Sequence, residues 1–448
     1  MTMAGDVIID QVAEKLRYDS RILVAFSGGV DSSVLLHALV SLRHHSRPDL
    51  LVRAVYVHHG LSHYADQWAE HCQTQCKLWQ IDLQIVYVQV DASVTGIEAA
   101  AREARYQAIH SLLSDDEILV TAQHQDDQCE TFFLALKRGS GPAGLSAMPE
   151  RMAFFDHQQV RPLLNITRAE IEHYAESNSL SWIEDDSNQD DRFDRNFLRL
   201  RVLPEISRRW PQFPQMVSRS AELCAEQEAL LDELLTPVLE GMIKPDGAIN
   251  ISALAQVSVI QRRALLRRWF RYHQVMMPSR SQLDKIWLDV ALSKPDAEPQ
   301  FQLGSNQIRR YRENLYLLPS MQNIGSINLS WDGCEPLELP DNLGQLIISH
   351  DKGVAIVSPE NNQCVSIRFT APGADIIRIV GREHSRTLKK LWQELSVPPW
   401  QRQRIPLVYY GQTLIAAIGF FVTAEGSPKE DRPVWRICWT DSQGNALN

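Results

Sequence analysis

Along the first two hundred positions, short runs rich in aliphatic and β-branched residues alternate with longer amphipathic segments. Ile22-Leu23-Val24-Ala25-Phe26 is apolar throughout, and residues 51–57, 83–90 and 118–122 are similar short runs that read as strands. Between them, residues 34–40, 64–79 and 97–113 place apolar side chains at the helical period. Strands and helices alternating in this way predict an α/β fold, a doubly wound and mostly parallel sheet with helices on both faces. Ligands of such sheets lie beyond the carboxyl ends of the strands. Three groups follow strands directly: Ser27 to Ser33, His58-His59, and Gln123 to Asp127. They are expected to line one cleft.

Beyond residue 200 the pattern changes twice. Pro211 and Pro214 punctuate the chain and mark an expected domain boundary. Helical periodicity then covers 218–235, 252–256, 260–273 and 281–292, and 301–318 reads as paired strands turning near Glu313-Asn314. In the segment 260–273, Ile260, Leu265, Leu266, Trp269 and Phe270 form an apolar side while Arg263, Arg267 and Arg271 run down another. After a looser stretch at 320–340, strand-like runs dominate at 346–349, 365–370, 407–410, 414–422 and 434–439. The expected domains are 1–213, doubly wound; 214–320, small and mostly helical; and 340–448, a β-rich α+β domain.

Composition narrows the partners. With 448 residues, 44% of them hydrophobic, the chain can build about three cored domains. Its longest apolar stretch, 414–422, is too short to span a bilayer, and the N-terminal region carries Asp6 and Asp10 instead of a basic leader, so a cytoplasmic protein without a membrane partner is expected. The seven cysteines are scattered without a CxxC pair, which argues against zinc, iron–sulfur or dithiol chemistry, and Cys72 and Cys76 read as buried thiols. The net charge of −10 is unfavourable for nucleic acid, but arginines cluster at 192–209, at 262–271 and more loosely at 309–312. Such local basic patches suit an RNA partner.

The strand, glycine turn and helix around Ser27-Gly28-Gly29-Val30-Asp31-Ser32-Ser33 suit phosphate, because the turn aims backbone N–H groups and a helix N-terminus at one spot. No lysine stands beside the final serines, so this is not a Walker loop. A carboxylate, Asp31, beside phosphate implies an intervening cation such as Mg2+, for which Asp31 and Asp126 are the candidate ligands. The third strand-end group contains His124, Asp126, Asp127 and Glu130, whose acids fall on adjoining faces of one helix start and could hold either a metal or a substrate ammonium. On the preceding helix Arg102 and Tyr106 share a stripe, with Arg105 beside it. Residues 137–145, with three glycines and a proline, read as a loop, either lid or connector, and Thr167-Arg168-Ala169-Glu170 as a capping box opening a helix.

The loop SGGVDSS resembles that of the ATP pyrophosphatases, or PP-loop proteins. The text Trp182-Ile183-Glu184-Asp185-Asp186-Ser187-Asn188, with Asp194-Arg195-Asn196-Phe197-Leu198-Arg199 and Val202-Leu203-Pro204 after it, resembles the tRNA(Ile)-lysidine synthetases. So do the A-R-x-x-R-Y run ending at Tyr106 and the C-terminal basic segment from Gly381 to Val397-Pro398-Pro399-Trp400, although Thr387 stands where a lysine is common. The resemblance implies a ligase joining free lysine to C2 of the wobble cytidine of a CAU-anticodon tRNA(Ile), with ATP and Mg2+, through an adenylated tRNA. It implies that Ser27, Gly28, Gly29, Val30, Asp31 and Ser32 bind ATP, with Arg102 and His124 assisting, and that Asp31, Asp127, Glu130, Arg105 and Arg195 serve the chemistry. Asp127 and Glu130 would bind the lysine ammonium and accept its proton. Arg199, Arg263, Arg267, Arg382, Arg386, Lys389 and Lys390 would meet tRNA. A homodimer is left open, as are two other readings: a tRNA-thiolating PP-loop enzyme and a non-catalytic nucleotide- and RNA-binding protein.

Overall fold

Strand β1 (Arg21–Ala25) shows why the first sheet is covered on both sides: Ile22 and Val24 are buried in one core and Leu23 in another. In the computed structural model, which describes residues 4–60, 64–89, 97–184, 186–294, 297–360, 363–371, 376–382, 384–441 and 445, β1 lies inside a six-stranded sheet. The other strands are β2 (Leu51–His58), β3 (Asp82–Tyr87), β4 (Ile118–Val120), β5 (Arg151–Phe154) and β6 (His157–Val160), in the order β3-β2-β1-β4-β6-β5. Every pairing is parallel except the β5–β6 hairpin. The chain winds outward through β2 and β3, then returns to the far side of β1 as β4, so the switch point lies between β1 and β4.

Helix α1 (Ala4–Lys15), α2 (Val30–His45), α3 (Ala65–Leu78) and α7 (Arg168–Ser177) contribute to one core, where Val12, Leu16, Val34, Leu35, Cys72, Ile171 and Tyr174 bury against Ile22 and Val24. Helix α4 (Ile97–His110) supplies Ile109 to the other, against Leu23, Val55, Leu119 and Phe154. Helix α5 (Gln125–Lys137) follows β4, α6 (Pro142–Leu145) follows it, and α8 (Asp194–Phe197) and α9 (Leu203–Arg209) flank a π-helical stretch. The loop expected over 137–145 therefore contains one helical turn. The third strand ends at Tyr87, and Val90, its expected end, lies outside the described residues, as do Asp185 and Glu383.

The chain divides into two compact units, Met1–Leu234 and Leu235–Asn448. Helix α10 (Phe213–Glu240) begins at the proline pair, which starts a helix instead of standing as a linker; Pro214 fits its first turn because those N–H groups have no intrahelical partner. In the second unit, α11 (Ile251–Ala255), α12 (Val259–Tyr272) and α13 (Arg280–Lys285) pack with a four-stranded sheet, and Leu265, Leu266, Trp269 and Phe270 are fully buried with Ile286, Ile308 and Leu315. Ile260, expected on that apolar side, is 81% exposed. Two and a half helical turns separate it from Trp269, which places it on the opposite face. The C-terminal part carries a five-stranded and a four-stranded sheet and helix α14 (Leu388–Glu394). Residues 414–422 are two strands, Thr413–Ala417 and Phe421–Val422, interrupted by a turn in which Gly419 has φ of +81°. Among the described residues, no helix is long and apolar enough to cross a membrane.

Candidate nucleotide and transfer site

The loop after β1 is built around Gly28, whose φ of +78° is a left-handed conformation that glycine adopts freely. A Cβ there would lie 2.9 Å from Cys72 Sγ and 3.0 Å from Ile183 Cδ1. The Gly28 carbonyl accepts a hydrogen bond from Ile183 N–H at 2.8 Å, so the Trp182-Ile183 segment braces the loop from behind. Ser32 Oγ donates to Gly29 O at 3.0 Å and sits 3.1 Å from Ser27 Oγ. Gly29 caps α2 without a side-chain acceptor, which leaves the helix's first amides available to an anion.

A connected array of charges joins this loop to the end of β4. Both oxygens of Asp31 accept from Arg168 Nη1 at 2.9 Å. His124 Nε2 lies 3.6 Å from Asp31 Oδ1 and 3.5 Å from Asp127 Oδ2, and its Nδ1 lies 3.6 Å from Asp126 Oδ2. Asp127 Oδ2 accepts the His124 backbone N–H at 3.1 Å, while its Oδ1 accepts from Arg199 Nη2 at 3.1 Å. Asp126 accepts the Arg168 backbone N–H at 2.9 Å. Glu130 is fully enclosed between Arg195 Nε at 2.9 Å and Arg199 Nε at 2.6 Å. The array thus runs Arg168, Asp31, His124, Asp127, Arg199, Glu130, Arg195.

Burial and charge compete along it. Burial raises the Asp31 carboxyl above its ordinary value, and His124 and Arg168 only partly offset this. For His124 burial acts downward, but Asp127, Asp126 and Asp31 outweigh it and the ring's pKa is raised, favouring imidazolium. Burial acts upward on Asp126, yet the His124 contact and the Arg168 N–H leave it lowered.

The sequence-predicted residues Asp31, His124, Asp126, Asp127, Glu130, Arg195 and Arg199 are therefore brought together. Arg168 is a member that sequence reading missed. Its text reads as a capping box, which is indeed formed by Thr167 and Glu170, and nothing in the local pattern reveals that the intervening arginine reaches Asp31. Arg102 lies over the Tyr106 ring at 4.9 Å and Arg105 at 5.8 Å, and among the described residues neither forms an ion pair. Burial lowers the Arg105 pKa, and burial together with the Arg105 charge lowers that of His59, whose buried Nδ1 has no hydrogen-bond partner among the described residues. In the second unit Arg263 pairs with Asp284 at 2.8 Å, and Arg382 and Arg386 both pair with Glu394. Arg267, Lys389 and Lys390 are exposed.

A parallel sheet whose switch point carries a glycine–serine loop at a helix N-terminus defines a PP-loop protein, and residues 5–206 match the PP-loop domain model. Residues 249–316 match the TilS substrate binding domain and residues 365–439 the TilS substrate C-terminal domain. The chain is 54% identical to the tRNA(Ile)-lysidine synthase of Edwardsiella ictaluri over 429 residues, covering 96% of this chain and 97% of that protein. To the tRNA(Ile)-lysidine synthase of Serratia proteamaculans it is 56% identical over 437 residues, 98% of this chain and 99% of the other. The chain belongs to the tRNA(Ile)-lysidine synthase family. It is an ATP-dependent ligase.

Proposed function

We propose that this protein is a cytoplasmic enzyme that ligates free lysine to C2 of the wobble cytidine of a CAU-anticodon tRNA(Ile), releasing AMP and pyrophosphate. The observation that carries the reading is the continuous charge array from Asp31 to Arg195, which ties a phosphate loop to a set of acids and arginines in one site.

The chemistry needs both halves. A cytosine C2 oxygen is a poor leaving group, so it must first attack the α-phosphorus of ATP, expelling pyrophosphate and leaving AMP on the oxygen. The loop from Ser27 to Ser33 would hold the departing pyrophosphate through its amides and hydroxyls. The lysine amine then attacks C2, the C2–O bond breaks, and AMP leaves with that oxygen. At neutral pH only about one lysine ε-amine in a few thousand is uncharged, given a pKa of about 10.4. A carboxylate must therefore hold the ammonium and accept its proton. Asp127 keeps part of its side chain exposed and takes that role. Glu130 is enclosed beneath two guanidiniums, so it holds Arg195 and Arg199 in place for phosphate charge and does not touch the amine.

Asp31 fits a single Mg2+ ligand. Each of its oxygens accepts one hydrogen bond and retains further lone pairs, and a magnesium ion takes one or two carboxylates with phosphate and water oxygens. Bound there, the ion would neutralise charge on the phosphates. Asp126 is a weaker candidate ligand, because it already accepts the Arg168 N–H and faces His124.

A thiolating chemistry would need reactive sulfur. The cysteines within the PP-loop domain, Cys72, Cys76 and Cys129, are buried, and burial pushes each thiol up to about 12. The test is incubation with ATP, Mg2+, labelled lysine and tRNA transcripts differing only in the anticodon. Lysine is expected in the CAU transcript alone; incorporation into all transcripts, or none, overturns the proposal.

A further inference from the structure

At the end of the same sheet opposite the loop after β1, His157 opens β6, Asp156 lies in the β5–β6 turn, and His110 ends α4. His110 Nδ1 is 3.3 Å from Asp156 Oδ1, His157 Nε2 is 3.5 Å from the same oxygen, and all three ligand atoms lie within 4.8 Å of one another. We propose that His110, Asp156 and His157 form a binding site for a divalent transition-metal ion of the zinc class, separate from the nucleotide site.

Three observations carry this. First, the two spacings to Asp156 Oδ1, 3.3 and 3.5 Å, are those of ligands, since atoms held about 2.0–2.1 Å from a tetrahedral ion stand about 3.3 Å apart, and the two histidine nitrogens lie within 4.8 Å of each other. Second, the rings are set for it. His157 Nδ1 lies 3.1 Å from the Glu117 carbonyl and donates to it, which fixes the proton there and turns the Nε2 lone pair toward Asp156. That backbone-carbonyl partner is the usual support of a metal-bound histidine. Among the described residues, His110 Nδ1 is a buried nitrogen with no hydrogen-bond partner, and its ring stacks on Phe155 at 4.2 Å and 12°. Third, the surroundings distinguish first ligands from solvent: the His157 side chain is 7% exposed while that of Asp156 is 74% exposed. Water can therefore complete the coordination from the Asp156 side, giving two imidazoles, one carboxylate and an open position. Such an ion would tie the end of α4 to the β5–β6 hairpin. The competing description is a pair of histidine–aspartate ion pairs formed only when the imidazoles are protonated.

The full chain, stripped of metal by chelation, is titrated with Co2+ and then Zn2+. One equivalent of cobalt is expected to give the strong visible d–d absorption of a tetrahedral site, zinc should displace it, and the thermal midpoint should rise on zinc addition. Asp156→Asn, at an exposed position, should weaken cobalt binding at least about tenfold while leaving the metal-free midpoint unchanged, and His110→Gln should weaken cobalt binding as much. Absence of cobalt binding, or binding that these variants leave intact, overturns the proposal. So does a wild-type stability difference that appears only on acidification and is indifferent to metal, since that is the signature of ion pairs alone. His157→Gln adds a third arm, and the two milder variants decide if it fails to fold.

Discussion

Glu130→Gln separates two jobs that a carboxylate in this site can do. Glu130 accepts from Arg195 Nε at 2.9 Å and from Arg199 through Nε at 2.6 Å and Nη2 at 3.0 Å. Its own side chain is fully enclosed, whereas the two arginine side chains are 35% and 36% exposed. Removing one partner of a buried ion pair costs about 3–5 kcal/mol. The arginine side chains, about one-third exposed, recover some hydration and glutamine keeps one acceptor oxygen, so about 2–3 kcal/mol is the expected loss. For a domain of this size each kcal/mol moves the midpoint by about 2–4 °C, so thermal unfolding of the first domain should fall by roughly 4–12 °C. Arg199→Gln added to Glu130→Gln should cost less than the sum of the two single changes, because the second removes a charge already stranded. Initial-rate measurements should show a raised KM for ATP, since both arginines are released. A midpoint within about 1 °C of wild type, with loss confined to the lysine-dependent step, would refute this reasoning and make Glu130 the base.

Gly28→Ala places a Cβ 2.9 Å from Cys72 Sγ at a φ of +78°, and ATP binding measured by calorimetry should weaken at least tenfold while tRNA binding persists. The raised pKa of His124 gives a signed pH dependence: its stabilisation is complete below the ordinary 6.5 and is lost as pH rises through the folded value. The stability difference between wild type and His124→Gln, from denaturant unfolding, should therefore be largest near pH 6 and shrink at higher pH. With burial pushing Cys72, Cys76 and Cys129 up to about 12, these thiols should resist alkylation at pH 8 until unfolding, whereas exposed Cys334 and Cys364 react at once, as mass spectrometry would show.

Much of the first sheet was legible because β1 to β4 are short apolar runs separated by helical periods. The β5–β6 hairpin was not. Its strand β6 reads His-Gln-Gln-Val, and Gln159, 1% exposed, is satisfied by hydrogen bonds to Thr121 Oγ1 and from Arg161 instead of by apolar contact. Hydrophobic patterning cannot find a central strand of that kind. Helix α1 was also missed, although Ile8, Val12 and Leu16 carry the helical spacing that should have revealed it. In the site, residues adjacent in sequence were found through their motif, whereas Arg168 reaches Asp31 only because α7 packs beside α2, a relation no local pattern encodes. Partner choice was equally hidden. Three acids in one helix start read alike, and only the fold separates fully enclosed Glu130 from Asp127, 15% exposed and bound by Arg199, and from Asp126, 37% exposed and held by the Arg168 N–H.

The central claim is that one site adenylates tRNA and then transfers lysine. It is tested most directly by incubating enzyme, CAU-anticodon tRNA(Ile) and ATP labelled at the α-phosphate without lysine, then chasing with lysine. The label should accumulate on tRNA and leave as AMP only in the chase; Asp31→Ala should form no adenylate while still binding tRNA, and Asp127→Asn should form it but respond slowly at limiting lysine. Adenylate found on lysine instead of tRNA, or formed at the wild-type rate by Asp31→Ala, would contradict the account.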